Sequence, residues 1–169
     1  MTTPREHLIH WLKDAYAMEQ QALSMTKAQS DRIDHYPQLT ARIAEHVEET
    51  KGQIDKLERC FAILETDGSM FKNSMGKMAA TMQAIGGMMS PDEVVKGSMA
   101  SYTFEHLEIS SYRVLIAAAE AANEPEIARI CGEILQEEIA MANWLEEHLA
   151  QTTETFLQRD AIDMEEAKR

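Results

Sequence analysis

Apolar residues recur every three or four positions along most of this chain. Leu8, Leu12, Ala15, Tyr16 and Leu23 form a first stripe, and Leu39, Ile43, Val47, Ile54, Leu57, Phe61 and Leu64 form a second. That spacing belongs to the 3.6-residue period of an amphipathic helix, and no segment sustains the strict alternation of a half-buried strand. The first helix is predicted from about Pro4 to Ser30, with proline at its start, where the missing N–H would go unpaired anyway. "SDRIDHYPQ" breaks it. The second is predicted from Pro37 to Glu65 and ends at "TDGS", with Gly68 as a left-handed cap or turn residue. "MFKNSMGKMAATMQAIGGMMS" reads as a shorter helix closed by Gly86 and Gly87. "SPDE" then starts a third long helix: Ser90 is the expected N-cap, Pro91 the first helical residue, and Glu93 the partner that completes a capping box. It is predicted to reach about Ala122. "NEP" separates it from a fourth helix over Pro125 to Gln151. Residues 152–169 are expected to form a short tail helix with a fraying charged end.

Helices of this length reach about 40 Å at 1.5 Å per residue, enough for a bundle. Glycine and proline number only 7 and 4, and good helix formers dominate. The expected fold is therefore all-α, a single domain over 1–169 with its bundle at about 4–151. Short links join helices one to two and three to four, whereas some two dozen residues separate the pairs. Two helical hairpins joined by one long crossover is the ferritin-like wiring, not simple up-down-up-down. The hairpins are faintly alike: "AYAMEQQAL" matches "TFEHLEISSY", placing Glu19 opposite Glu108, and "VEETKGQIDKL" matches "LQEEIAMANWL".

Charge narrows the function. A net −13 opposes binding to a nucleic-acid backbone or to an anionic membrane surface. No run of about 18 apolar residues exists, and "MTTPREHLIHWLKDAYAMEQ" lacks the layout of a secretory signal, so a cytoplasmic protein is expected. Cys60 and Cys131 show no metal-binding spacing and are read as reduced, buried thiols. The methionines of the crossover are read as packing or oligomer contacts. A homodimer is the expected assembly.

Against this background, the carboxylates on the apolar faces stand out. On a helical wheel Glu19 falls between Leu12, Tyr16 and Leu23, Glu105 lies near the centre of the third helix's face with Glu108 at one side, and Glu138 sits among Ile134, Leu135 and Leu145. On the second helix His46, Thr50 and Gln53 share the inner face and Glu49 lies at its edge. An ionised carboxylate in a dry interior costs several kcal/mol, and several together also repel. His46 is the only base on an inner face. A di- or trivalent ion would satisfy the charge: oxygen ligands with one imidazole suit iron or manganese, as one ion or a bridged pair. The competing reading has Glu105 and Glu49 reaching solvent along a groove, and the rest protonated and bonded to Tyr16, Tyr112 and Gln53, in a metal-free structural or interaction protein.

The segments "WLKDAYAMEQQA", "HVEETKGQIDKLE", "SMGKMAA", "IGGMMSPDEVVKGS", "FEHLEISSY", "EEIAMANWL" and "QTTETFL" together resemble the YciE/YciF family of bacterial ferritin-like stress proteins, nearer its YciE branch, over almost the whole chain. The resemblance implies the ferritin-like fold and a carboxylate-rich metal site, with no established reaction. Ferritin-like proteins draw one Glu from each of two helices and a Glu-x-x-His from each of the others. Glu19, Glu108 or Glu105, and Glu138 match that pattern. Met141 stands at one His position, and Thr50 and Gln53 stand at the pair on the second helix. His46 and Glu49 lie one turn earlier there, in reversed order.

Overall fold

The computed structural model describes residues 1–33, 35–66, 90–162 and 167–168. Four helices occupy them: α1 (Pro4–Ser30), α2 (Pro37–Ile63), α3 (Glu93–Ala121) and α4 (Pro125–Asp160), with no strand among the described residues. Proline opens α1, α2 and α4 as expected, and Thr3 caps α1 in a reciprocal capping box with Glu6. The break at "NEP" places Asn123 at φ 58°, a left-handed conformation that asparagine accepts more readily than most residues.

Cross-links between helix ends fix the wiring. Arg5 at the start of α1 donates to the Leu64 carbonyl just past α2 and lies 3.6 Å from Glu124 in the α3–α4 turn. At the opposite end Arg32 pairs with Glu93, and Ser101 donates to Gln29. Neighbouring helices are therefore antiparallel, and the chain leaves α2 at one end of the bundle and re-enters at α3 at the other. This is the two-hairpin ferritin-like arrangement. The expected crossover helix, Gly68, Gly86, Gly87 and the methionines of that segment lie outside the described residues.

Two expectations are corrected at chain ends. The tail is not a separate helix: α4 continues unbroken through Gln151 to Asp160, carrying Thr152 and Phe156 into the core. Beyond α4, Ala167 and Lys168 are tied to the bundle: the buried Ala167 carbonyl accepts from the Tyr36 hydroxyl and the Lys168 carbonyl from the Val94 N–H. The capping box at "SPDE" does not form. The helix starts at Glu93, the Ser90 hydroxyl bonds Asp92, and Glu93 turns to Arg32 with bonds of 2.6 and 2.9 Å. A charge-assisted pair between segments outweighs a local cap.

The interior is two apolar clusters. One contains Leu8, Leu12, Leu57, Phe61, Leu115, Ile127, Ile130 and Ile134. The other contains Ile33, Tyr36, Leu39, Ile43, Val94, Met141, Leu145 and Phe156. Between them, buried, lie Glu19, His46, Thr50, Gln53, Glu105, Glu108 and Glu138. On α2 the order along the helix is plain: Ile43, then the three polar residues, then Leu57. Leu12→Ala, at a fully buried position, should cost about 2–5 kcal/mol in chemical denaturation. The exposed Leu157→Ala should change stability by less than about 0.5 kcal/mol.

Candidate metal centre

Each helix contributes to the polar layer from one face. His46, Thr50 and Gln53 are spaced four and three apart on α2, so all three point inward. Glu105, Glu108 and Tyr112 are spaced three and four apart on α3, Glu138 comes from α4 between Leu135 and Met141, and Glu19 follows Met18 on α1. The apolar residues above and below pin each side chain at this level.

His46 Nε2 lies 3.3 Å from Glu105 Oε1 and 3.9 Å from Glu138 Oε2. One donor atom from each of His46, Glu105, Glu108 and Glu138 can be chosen so that all lie within 4.8 Å of one another. Behind the imidazole, Nδ1 is 2.9 Å from Glu49 Oε2, which also accepts from Arg42 at 3.0 Å. That bond fixes the ring and aims Nε2 at the carboxylates, the arrangement by which an outer carboxylate orients a ligating histidine. Glu19 stands beside the group and accepts the Tyr112 phenol at 2.5 Å. One oxygen each of Glu19, Glu105 and Glu108, and both of Glu138, are buried without a hydrogen-bond partner.

Burial sets the charge states. It pushes Glu19 up to about 7, against the Tyr112 bond and the His46 charge, which favour the anion. Burial followed by neighbouring carboxylates raises Glu108 and Glu138 well above the usual range. Tyr112 is raised as well, by burial and then by Glu19. For His46 burial pulls downward, but bonds and charges from Glu105 and Glu49 prevail and raise it to about 9. Burial would raise Glu49, yet His46 and Arg42 hold it below the ordinary value. Without an ion the cluster is thus a proton store around one imidazolium, and cations would compete with protons for it.

The structure brings Glu105, Glu108, Glu138 and His46 together, sets Glu19 beside them, and leaves Glu49 behind the imidazole, a quarter exposed. Glu108 is not at the side of its face: Phe104, Glu105, Glu108, Tyr112, Leu115, Ala118 and Ala119 are all buried, with Glu108 at the middle. Tyr16 does not join the acidic layer. Its hydroxyl donates to Glu58 at 3.0 Å while its ring packs against Phe61. The physical reason is that a phenol at the helix edge finds a partner near water without the cost of desolvation. Thr50 bonds the His46 carbonyl of its own helix. Gln53 donates to Glu137, which Lys56 also holds at 2.5 Å. Cys60 and Cys131 are free and buried. The Cys131 thiol donates to the Cys60 sulfur, and that hydrogen bond, then burial, pushes Cys131 upward, so it stays protonated and inert.

A ferritin-like four-helix bundle with a buried histidine–carboxylate cluster is the class these features define. Residues 3–158 match the family described as Domain of unknown function (DUF892), and the chain belongs to it. Protein YciF of Escherichia coli (strain K12) is 28% identical over 151 residues, spanning 83% of this chain and 86% of YciF. The crystal structure of that E. coli stress protein superposes with a TM-score of 0.71 at 25% identity, covering 89% of this chain and 96% of YciF. A protein from Xanthomonas campestris pv. campestris gives 0.79 at 45% identity over 94% of this chain and 99% of its own. A ferritin-like, diiron-carboxylate protein from Bacillus anthracis str. Ames gives 0.71 at 14% identity over 88% and 99%, a likeness of fold. These relatives point to YciF and do not single out the YciE branch. No helix among the described residues is long and apolar enough to cross a membrane.

The charge states predict how metal-free protein responds to pH. Glu19 binds its proton more tightly folded (about 7) than unfolded (4.5), so stability present below pH 4.5 is lost as pH rises through about 7. Glu108 and Glu138 act in the same sense. His46 contributes stability that is full below 6.5 and lost as pH rises through about 9. Glu49 works oppositely, but only below its ordinary 4.5. Chelator-treated protein should therefore melt at steadily lower temperature between pH 5 and 9, and Glu138→Gln should flatten that slope. The measurement is calorimetry across the pH series.

Proposed function

We propose that this chain is a ferritin-like metalloprotein that binds iron or manganese in its polar layer and serves in protection under stress. His46 Nε2 and one oxygen each of Glu105, Glu108 and Glu138 would hold the ion. The observation that carries this reading is the set of five buried carboxylate oxygens with no hydrogen-bond donor, gathered around one imidazole. Unpartnered buried oxygens are expensive, and a hard cation with oxygen and imidazole ligands compensates them together. Those four donor atoms lie within 4.8 Å of one another, close enough for a single ion to be shared among them. Such an ion would supply redox chemistry. The residues' own part is to bind it, to exclude water with the apolar clusters on both sides, and to release protons as the ion enters, with Glu49 and Arg42 on the more exposed side of His46.

One ion is favoured over a symmetric pair by the two hairpins themselves. Under the internal match, Glu138 corresponds to Thr50, Met141 to Gln53, and His46 to Ile134. Hard ligands on one hairpin thus face non-ligands on the other. Glu19, one oxygen already taken by Tyr112, stays beside the ion as a carboxylate that can hold or give up a proton. The stress role rests on the likeness to YciF, a stress protein.

Anaerobic titration of metal-free protein with Fe(II) or Mn(II) should saturate at one ion per chain. It should stabilise the fold by about 2.7 kcal/mol when free metal exceeds the Kd a hundredfold. His46→Ala and Glu138→Gln should abolish that gain while still folding. If wild type takes up neither ion, and Glu138→Leu is neutral or stabilising with and without metal, the bundle is a metal-free scaffold.

A further inference from the structure

We infer that the cavity between the start of α2 and the last turns of α4 is an anion-binding site that takes a phosphate monoester with a small planar body. It has a volume of about 210 Å³ and lies outside the metal layer, with Leu39 seven residues, about 10 Å, before His46 along α2. That volume falls below the roughly 300–1,000 Å³ of sites for drug-sized ligands, so its occupant is small. The chain carries 29 acidic residues and a net charge of −13, yet no carboxylate among the described residues lines this cavity. His35, His148 and Arg159 do.

Thr152 is the residue that calls for a ligand. The other threonines inside the helices, Thr26, Thr40, Thr50, Thr103, Thr153 and Thr155, each donate to the carbonyl four residues back. Thr152 is nine-tenths buried on the cavity wall, and its hydroxyl bonds neither that carbonyl nor any other group. A buried hydroxyl without a partner is costly, and a ligand oxygen would supply one. The start of α2 borders the same space. Its N-cap residue Tyr36 makes no side-chain bond to the first turn and Pro37 has no N–H, so the Gln38 and Leu39 N–H groups stand uncapped beside the cavity. Arg159 is set in place by the His35 carbonyl at 2.9 Å and by the Tyr36 ring, whose centre lies 4.8 Å from the guanidinium carbon. His148 Nδ1 is 2.7 Å from the Trp144 carbonyl, which can only accept, so Nδ1 carries a proton and Nε2 is the nitrogen left for a ligand. Hydroxyl, helix start, guanidinium and imidazole together exceed what the two oxygens of a carboxylate can use, and suit the three terminal oxygens of a phosphate monoester. Trp144, stacked on His148 at 3.9 Å, and Leu39 give the cavity an apolar wall for a planar body.

The test uses the chelator-treated full chain, so that no bound metal can capture phosphate. Calorimetric titration with phenyl phosphate should saturate at one per chain, and inorganic phosphate should bind the same site several-fold more weakly. Thr152→Val should keep the wild-type melting temperature without ligand, because the hydroxyl it removes has no partner, and should weaken phenyl phosphate binding about tenfold. Arg159→Gln should weaken both probes, whereas Trp144→Leu should remove only the advantage of the phenyl ring. No saturable uptake of either phosphate overturns the proposal. So does wild-type affinity in Thr152→Val or in Arg159→Gln. Benzoate binding more tightly than phenyl phosphate overturns the assignment of a phosphate head. None of these readings depends on the ion proposed for the polar layer.

Discussion

Desolvation of carboxylates is the constraint around which this bundle is organised. Two apolar clusters close over a layer that holds Glu19, Glu105, Glu108 and Glu138 with a single imidazole. Hydrophobic burial drives the closure, and the same closure removes the water that would have solvated those anions. The layer must therefore be neutralised from within. Protons do so in part, shown by the upward pull on Glu19, Glu108 and Glu138, and His46 answers one charge. Oxygens without any donor remain, and they give the layer its capacity for a cation.

The surroundings of His46 show how position assigns different work to like groups. Glu49 and Glu105 both touch the imidazole, on opposite nitrogens. Glu49 is partly exposed and shares Arg42, so it remains an anion and orients the ring. Glu105 is buried among other carboxylates, on the nitrogen that faces the layer. The order His-x-x-Glu, reversed from the ferritin-like pattern, is what separates these roles: it leaves the carboxylate toward the surface and sends the imidazole inward.

Most of the architecture could be read from the residues. Proline positions and apolar periodicity located the four helices, because local geometry alone dictates both. What escaped was governed by contacts distant in sequence. Glu93 looks like a capping-box residue until Arg32 is brought to it, and nothing near Ala167 in sequence points to Tyr36. The polar layer was legible on α1, α2 and α4, where apolar neighbours mark the face clearly. Tyr16 was misplaced because a wheel ranks angle and not the cost of reaching a partner, and Glu58 at the rim is the cheaper one.

On α3 the wheel erred for a different reason, and that error explains the helix. Its inner face carries Glu105, Glu108 and Tyr112, while its outer face carries Met99, Leu107 and Val114. Periodicity cannot find the core side of such a helix, since apolarity runs round it. Ile109 and Ile116 lie only half-buried at the edge of the core. The rotation that buries Glu108 instead of Ile109 is set by Phe104, Leu115 and Ala119 docking on the other helices. A helix that puts carboxylates inward and aliphatic side chains outward satisfies neither surface alone. On the inner side, where Glu105 and Glu108 lie among other buried carboxylates, the proposed cation would supply the compensation that packing alone does not.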